Sequence, residues 1–185
     1  MKIKNVDAFP IKLAPLGGDD REQVEDPARA DYGDYHIAKD SWTSIYSKRH
    51  ETCLVRVETD AGLVGWGEGQ APVSPKTTAT VVGELCRPLL LGADPFDVEY
   101  LWYRLYSAMR ERGHITGFYV DALAGVDMAI YDLLGKALEK PVYKVMGGRF
   151  RDDVRIYAGT GATNPEQAGR TLCGECRTFI IFGSW

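Results

Sequence analysis

Residues 51–69, ETCLVRVETDAGLVGWGEG, constrain the fold more than any other stretch of the chain. Cys53, Val55 and Val57 alternate with Thr52, Arg56 and Glu58, which is the two-residue period of a strand with one buried face. Asp60-Ala61-Gly62 supplies a turn, and the apolar pattern resumes at Leu63, Val64 and Trp66, so the segment predicts a β-hairpin. Residues 2–13 place Ile3, Val6, Phe9, Ile11 and Leu13 in a looser alternation, with Pro10 marking an edge or a bulge. Together the three strands predict a small antiparallel sheet. Such a sheet is stable only with helices packed on one face.

The helices follow directly. Ser74-Pro75 offers an N-cap and a proline at the first helical position, ahead of an apolar stripe through Val81, Leu85, Leu89 and Leu90 that ends at Gly92. Asp94-Pro95 repeats the start signal, and Phe96, Tyr100, Leu101, Leu105 and Ala108 continue at helical spacing. A third helix is expected over residues 119–139, with Ala122, Val126, Ala129, Ile130, Leu133 and Leu134 on its buried side and Pro141 stopping it. After Gly147-Gly148, VRIYA at 154–158 reads as a strand. The turn GTGATN follows, and Asn164-Pro165-Glu166 opens another helix with cap, proline and acid in the favoured order. Strand, loop and capped helix form half of a βα unit, which cannot bury its own faces.

Between the first strand and the hairpin lies a long stretch, residues 14–50, with no sustained period. It carries paired Gly and Asp residues, then Tyr32, Tyr35, Trp42 and Tyr46. Segments of this length inside a compact domain are usually functional lids or disordered segments, and this one reads as a lid. Tyr35, His36, Lys39 and Trp42 combine charge, hydrogen bonding and aromatic surface, which suits a polyhydroxy acid. They are the candidate substrate-binding residues. His114, beside Arg110, Glu111 and Arg112, reads as a surface residue.

Composition narrows the function classes. The chain has 185 residues, 45% hydrophobic and 26% charged, with a net charge of −4 and no basic stripe. Nucleic acid is therefore not an expected partner. No apolar run approaches the length that spans a bilayer, and the N-terminus alternates where a signal peptide would be continuously apolar. No membrane association and a cytoplasmic location are expected. Cys53 and Cys86 fall in strand and helix patterns and read as buried apolar filler. Cys173 and Cys176 form a two-residue-spaced pair with no second pair to complete a zinc site. The glycines at 65, 67 and 69 lie along a hairpin strand and do not precede a capped helix in a βαβ unit, so they read as sites of a bulge or of close backbone approach, not as a phosphate loop.

The stretch ALAGVDMAIYDLLGKALEKPVYKVMGG at 122–148, followed by RDDVRIYA, resembles the signature of the mandelate racemase and muconate lactonizing enzyme branch of the enolase superfamily. GLVGWGE at 62–68 is a second family-like stretch. Ile130 and Val145 are mild departures. The resemblance implies an α+β capping domain, a three-stranded antiparallel sheet plus helices, followed by the start of a (β/α) barrel. The corresponding boundaries are residues 1–150 for the cap and 151–185 for a first barrel strand and helix fragment with an atypical tail. Within the signature helix, Asp127, Asp132 and Lys136 are spaced to pair with one another or with the following loop, and the expected role of the signature is to dock the cap onto a barrel, not catalysis.

In that family the cap closes over the substrate, while acid–base residues and three carboxylate ligands for a divalent cation, usually magnesium, sit on later barrel strands. The cation stabilises an enediolate formed when a base removes the proton next to a carboxylate. No lysine follows Lys144, and the last acidic residue is Glu175. The expectation is thus a portion truncated before the catalytic barrel, with no catalytic and no metal-ligating residue of its own, inactive alone, and with residues 170–185 poorly ordered. The intact relative is expected to be a Mg2+-dependent lyase or isomerase acting on a small carboxylate or sugar acid, foremost an acid-sugar dehydratase of galactonate type, and to form a homo-oligomer. The competing expectation is a non-catalytic binding or assembly module.

Overall fold

The structure, a computed structural model, describes residues 1–14, 30–37 and 44–153. The chain divides into two units, Met1–Val145 and Met146–Trp185. The expected barrel strand at 154–158, the following turn and helix, the cysteine pair and the tail all lie outside the described residues. Of the second unit, residues 146–153 are described. There the Arg149 guanidinium donates to the carbonyl oxygens of Arg151 and Asp152 at 3.3 and 3.2 Å.

The first unit is built on a three-stranded antiparallel sheet in the order β1-β5-β6. It comprises β1 (Ile3–Leu13), β5 (His50–Thr59) and β6 (Val64–Gly69). Between β1 and β5 the chain forms a second small sheet, β2 (Ala30–Tyr32), β3 (Tyr35–Ile37) and β4 (Ile45–Ser47), paired antiparallel in that order. This meander lies within the stretch that reads as an aperiodic lid. Strands of three residues are too short to show a period. Among the described residues β1 pairs only with β5, which puts Pro10 on an edge strand, but the register irregularity is at Ile3/Asn5.

The inward face of the sheet follows from the alternation. Cys53, Val55 and Val57 are fully buried, as are Ile3 and Val6 on β1. Helices α1 (Pro75–Val81), α2 (Arg87–Leu90), α3 (Val98–Arg110), α4 (Phe118–Leu138) and α5 (Val142–Val145) complete the unit. Two helical expectations are corrected. Between α1 and α2 the backbone makes a π-helical segment, Val82–Cys86, whose wider turn shifts the stripe, so Val82, Cys86 and Leu90 are the fully buried positions while Val81, Leu85 and Leu89 are half-buried. Helix α3 starts at Val98, because the Asp94 side chain accepts the Phe96 amide at 3.0 Å and holds a turn there. That leaves Phe96 and Tyr100 exposed, with Leu101 and Leu105 facing the core.

Helix α4 is the centre of the unit, and all six of its expected core residues are buried. Its contact with β6 is unusually close. A Cβ placed on Gly65 would stand 1.9 Å from the Ala129 carbonyl oxygen, and one on Gly67 would stand 2.1 Å from that of Gly125. Only strand glycines let the two backbones meet this way. The seam is closed by Asp132, which accepts the Trp66 amide at 2.8 Å, and by Lys136, which donates to Asp132 at 2.6 Å and to the Val64 carbonyl oxygen at 2.9 Å. Asp132 and Lys136 therefore pair as their spacing suggests and dock α4 on the hairpin. Asp127 joins neither contact. Burial first, and the Glu99 carboxylate second, push its carboxyl above the ordinary aspartate range.

Candidate functional site

The chemistry-bearing residues of the lid stretch that the structure describes sit on the β2–β3–β4 meander. Side chains alternate across a strand, so Tyr35 and His36, adjacent on β3, leave from opposite faces. His36 stacks on Tyr46, its cross-strand partner on β4, with ring centroids 5.6 Å apart and an interplanar angle of 21°. Tyr35 turns the other way, toward β1 and β5. Of the four candidate substrate-binding residues, Tyr35 and His36 are thus placed on two faces of one strand, while Lys39 and Trp42 lie outside the described residues.

Tyr35 joins a polar cluster that the sequence reading missed. Its centre is Glu51, whose side chain has no exposed surface. One carboxylate oxygen, Oε1, accepts from the Ser47 hydroxyl at 2.7 Å and pairs with the Lys12 ammonium at 3.0 Å. The other, Oε2, accepts from the Ser74 amide at 2.9 Å and from the Tyr35 hydroxyl at 3.4 Å. Lys12 also donates to Tyr35 at 3.3 Å and pairs with Asp34 at 3.2 Å. A buried carboxylate without such donors would carry a large desolvation cost. Here four donors from β1, β3, β4 and the turn ahead of α1 offset it.

Two consequences are visible in the surroundings. Bonding to Glu51, helped by Tyr35 and Asp34, holds the Lys12 ammonium above the usual lysine range. Ser74 adopts the left-handed conformation, φ 56° and ψ 57°, a strained state for a residue with a side chain. Its amide points at Glu51 as a result. Ser74 does precede Pro75 at the start of α1, but its hydroxyl makes no cap to the helix backbone and meets Thr77 Oγ1 at 2.9 Å instead.

The signal for this cluster lies in the alternation itself. Glu51 shares the parity of Cys53, Val55 and Val57, so an ionisable side chain stands in the buried phase of β5, and Lys12 is its register partner on β1. Among the described residues no three His, Cys, Asp or Glu side chains converge as a metal ion would need. No step through a cation is therefore assigned to them. Nor is any helix among the described residues long and apolar enough to cross a membrane.

Comparison with known proteins supplies the context. Residues 36–147 match the family described as mandelate racemase / muconate lactonizing enzyme, N-terminal domain. A D-galactonate dehydratase of Verminephrobacter eiseniae is 41% identical over 112 residues, covering 60% of this chain and 28% of that protein. A D-xylonate dehydratase of Haloferax volcanii is 35% identical over 141 residues, covering 74% of this chain and 32% of that protein. The chain thus spans roughly a third of the length of these relatives. The crystal structure of a member of the enolase superfamily from Agrobacterium tumefaciens matches with a TM-score of 0.78 at 30% identity, over 91% of this chain and 43% of that one.

Proposed function

The chain belongs to the mandelate racemase / muconate lactonizing enzyme family of the enolase superfamily, and from that premise we propose that it serves as the capping domain of an acid-sugar dehydratase. The observation that carries the reading is the similarity of residues on this cap to D-galactonate and D-xylonate dehydratases at 35–41% identity. The substrate class is a small polyhydroxy carboxylate, and magnesium is the cation of the chemistry. Bound in such an enzyme, the cation would supply positive charge beside the substrate carboxylate. The described residues contribute no step of that kind. Their part is to cover and to select.

The meander is the covering element in this reading. His36 stacked on Tyr46 offers an imidazole and a phenol on one face, groups that hydrogen-bond hydroxyls and carboxylates, with Lys39 and Trp42 assigned to the same cover. A D-galactarolactone cycloisomerase of Agrobacterium fabrum is 38% identical over 127 residues, which keeps a cycloisomerase as the second reading. Both reactions start from an acidic carbon next to a carboxylate, so the cap alone does not separate them.

The test is an exchange of caps. Residues 1–145 of this chain, placed ahead of the barrel of a D-galactonate dehydratase, are expected to give dehydration of sugar acids in the presence of Mg2+. His36→Ala in that chimera should raise KM more than it lowers kcat. A chimera that folds and binds Mg2+ but dehydrates no sugar acid would count against the reading. Detectable dehydration by the 185-residue chain with Mg2+ alone would overturn the assignment of a purely covering role.

A further inference from the structure

We propose that Glu51 is the positioning residue of the meander, the group that docks β2–β3–β4 on the main sheet and so sets where the substrate-facing side of β3 stands. The two sheets share no strand ladder among the described residues, so backbone pairing does not fix one against the other. Side chains do. Tyr35 and Ser47 are register partners on β3 and β4, and both direct a hydroxyl to the same carboxylate. Lys12, on the edge strand β1, approaches that carboxylate from the main sheet and reaches back to Asp34 at the β2–β3 turn. The meander is thus clasped from β1 and β5 at once.

The carboxylate is specified by number of acceptors and by charge. Its two oxygens take four donors, one of them an ammonium and one a backbone amide in the left-handed region. A glutamine in its place keeps one oxygen but turns the other position into a donor, facing one group that can only donate, the Lys12 ammonium at Oε1 or the Ser74 amide at Oε2. It also leaves Lys12 without its buried counter-charge. The Ser74 bond extends the link to the entry of α1, so the meander and the first helix register on one group. Because Tyr35 and His36 leave β3 on opposite faces, fixing the first orients the second. Only that last consequence rests on the covering role proposed above.

The test uses the full chain and no substrate, so the dehydratase reading can fail while this one holds. In 1H–15N spectra, Glu51→Gln is expected to displace the amide resonances of Tyr35, Ile37, Ser47 and Ser74 and to leave those of residues 118–138 in place. Amide exchange of Tyr35 and Ile37 should accelerate at least about tenfold in Glu51→Gln and in Lys12→Met, and return to within about threefold of wild type in Lys12→Arg, which keeps the charge. A loss of stability alone would not move resonances of the folded protein. Unmoved meander resonances in Glu51→Gln, or displacements in α4 as large as those in the meander, would overturn the proposal. Should Glu51→Gln fail to fold, the contrast between Lys12→Met and Lys12→Arg decides it: equal meander exchange in the two would overturn it.

Discussion

The seam between β6 and α4 and the seam between the meander and the main sheet are held by opposite means. At the first, glycines on the strand bring two backbones into direct contact over a continuous apolar core, and one aspartate–lysine pair closes the edge. At the second, a single buried carboxylate collects donors from every element it joins. Close packing has one solution and tolerates no added atom. A polar clasp can open and reform without disturbing the core beneath it. The difference fits a rigid frame carrying the cover proposed above.

Gly67→Ala breaks the first seam severely. The new Cβ would stand 2.1 Å from a backbone oxygen and 2.6 Å from the Ala129 nitrogen, which no rotamer change relieves. A loss of at least about 3 kcal/mol is expected in urea unfolding. Gly83→Ala sharpens the contrast: nothing lies within 4 Å of that position, and a gain of about 0.5–1 kcal/mol is expected from better helix propensity. At the second seam, Glu51→Ala leaves the Ser74 amide and two hydroxyls without their acceptor. It should lower stability by about 2 kcal/mol, read by the same unfolding curve.

Asp132→Asn weakens the first seam mildly, since the bond to the Trp66 amide loses its charge and Lys136 its partner. About 1 kcal/mol is expected. It should appear in the exchange of α4 amides while the free energy at which the meander opens stays where it was. The smallest effect concerns Asp127. Its folded carboxyl lies above the unfolded value, so its contribution is favourable below the ordinary aspartate pKa, about 3.9, and is lost as pH rises through the folded value. Asp127→Asn should therefore stabilise at pH 7, by less than about 1 kcal/mol for a half-buried group. The gain should disappear below about pH 4.

The first seam was the legible one. The alternation of residues 51–69 and the 3.6-residue stripe of residues 119–139 are long enough for periodicity to identify the element and its buried face, and Gly65, Gly67 and Gly69 read correctly as close-approach positions. Periodicity weakened where the backbone left regular geometry: the π-helical segment at Val82–Cys86 moved the stripe by one residue, and the Asp94 turn delayed α3 to Val98. The second seam was nearly illegible. Strands of three residues carry too few positions to alternate, and the clasp assembles residues far apart in sequence, Lys12, Tyr35, Glu51 and Ser74. Only the parity of Glu51 pointed to it. Of the candidate site residues, Tyr35 directs its hydroxyl to Glu51 and Lys12.

Native-state amide exchange of the wild-type chain in rising, sub-denaturing urea tests the distinction between frame and cover most directly. Amides of Val55, Val57, Val126 and Ala129 should exchange only through global unfolding, with a free energy that falls steeply with urea. Those of Tyr35, Ile37 and Ser47 should exchange through a lower-energy opening that barely depends on urea, because little apolar surface is exposed when a polar clasp releases. If both sets report one free energy and one urea dependence, the meander and the frame unfold as a single unit, and the account of a separately held cover is contradicted.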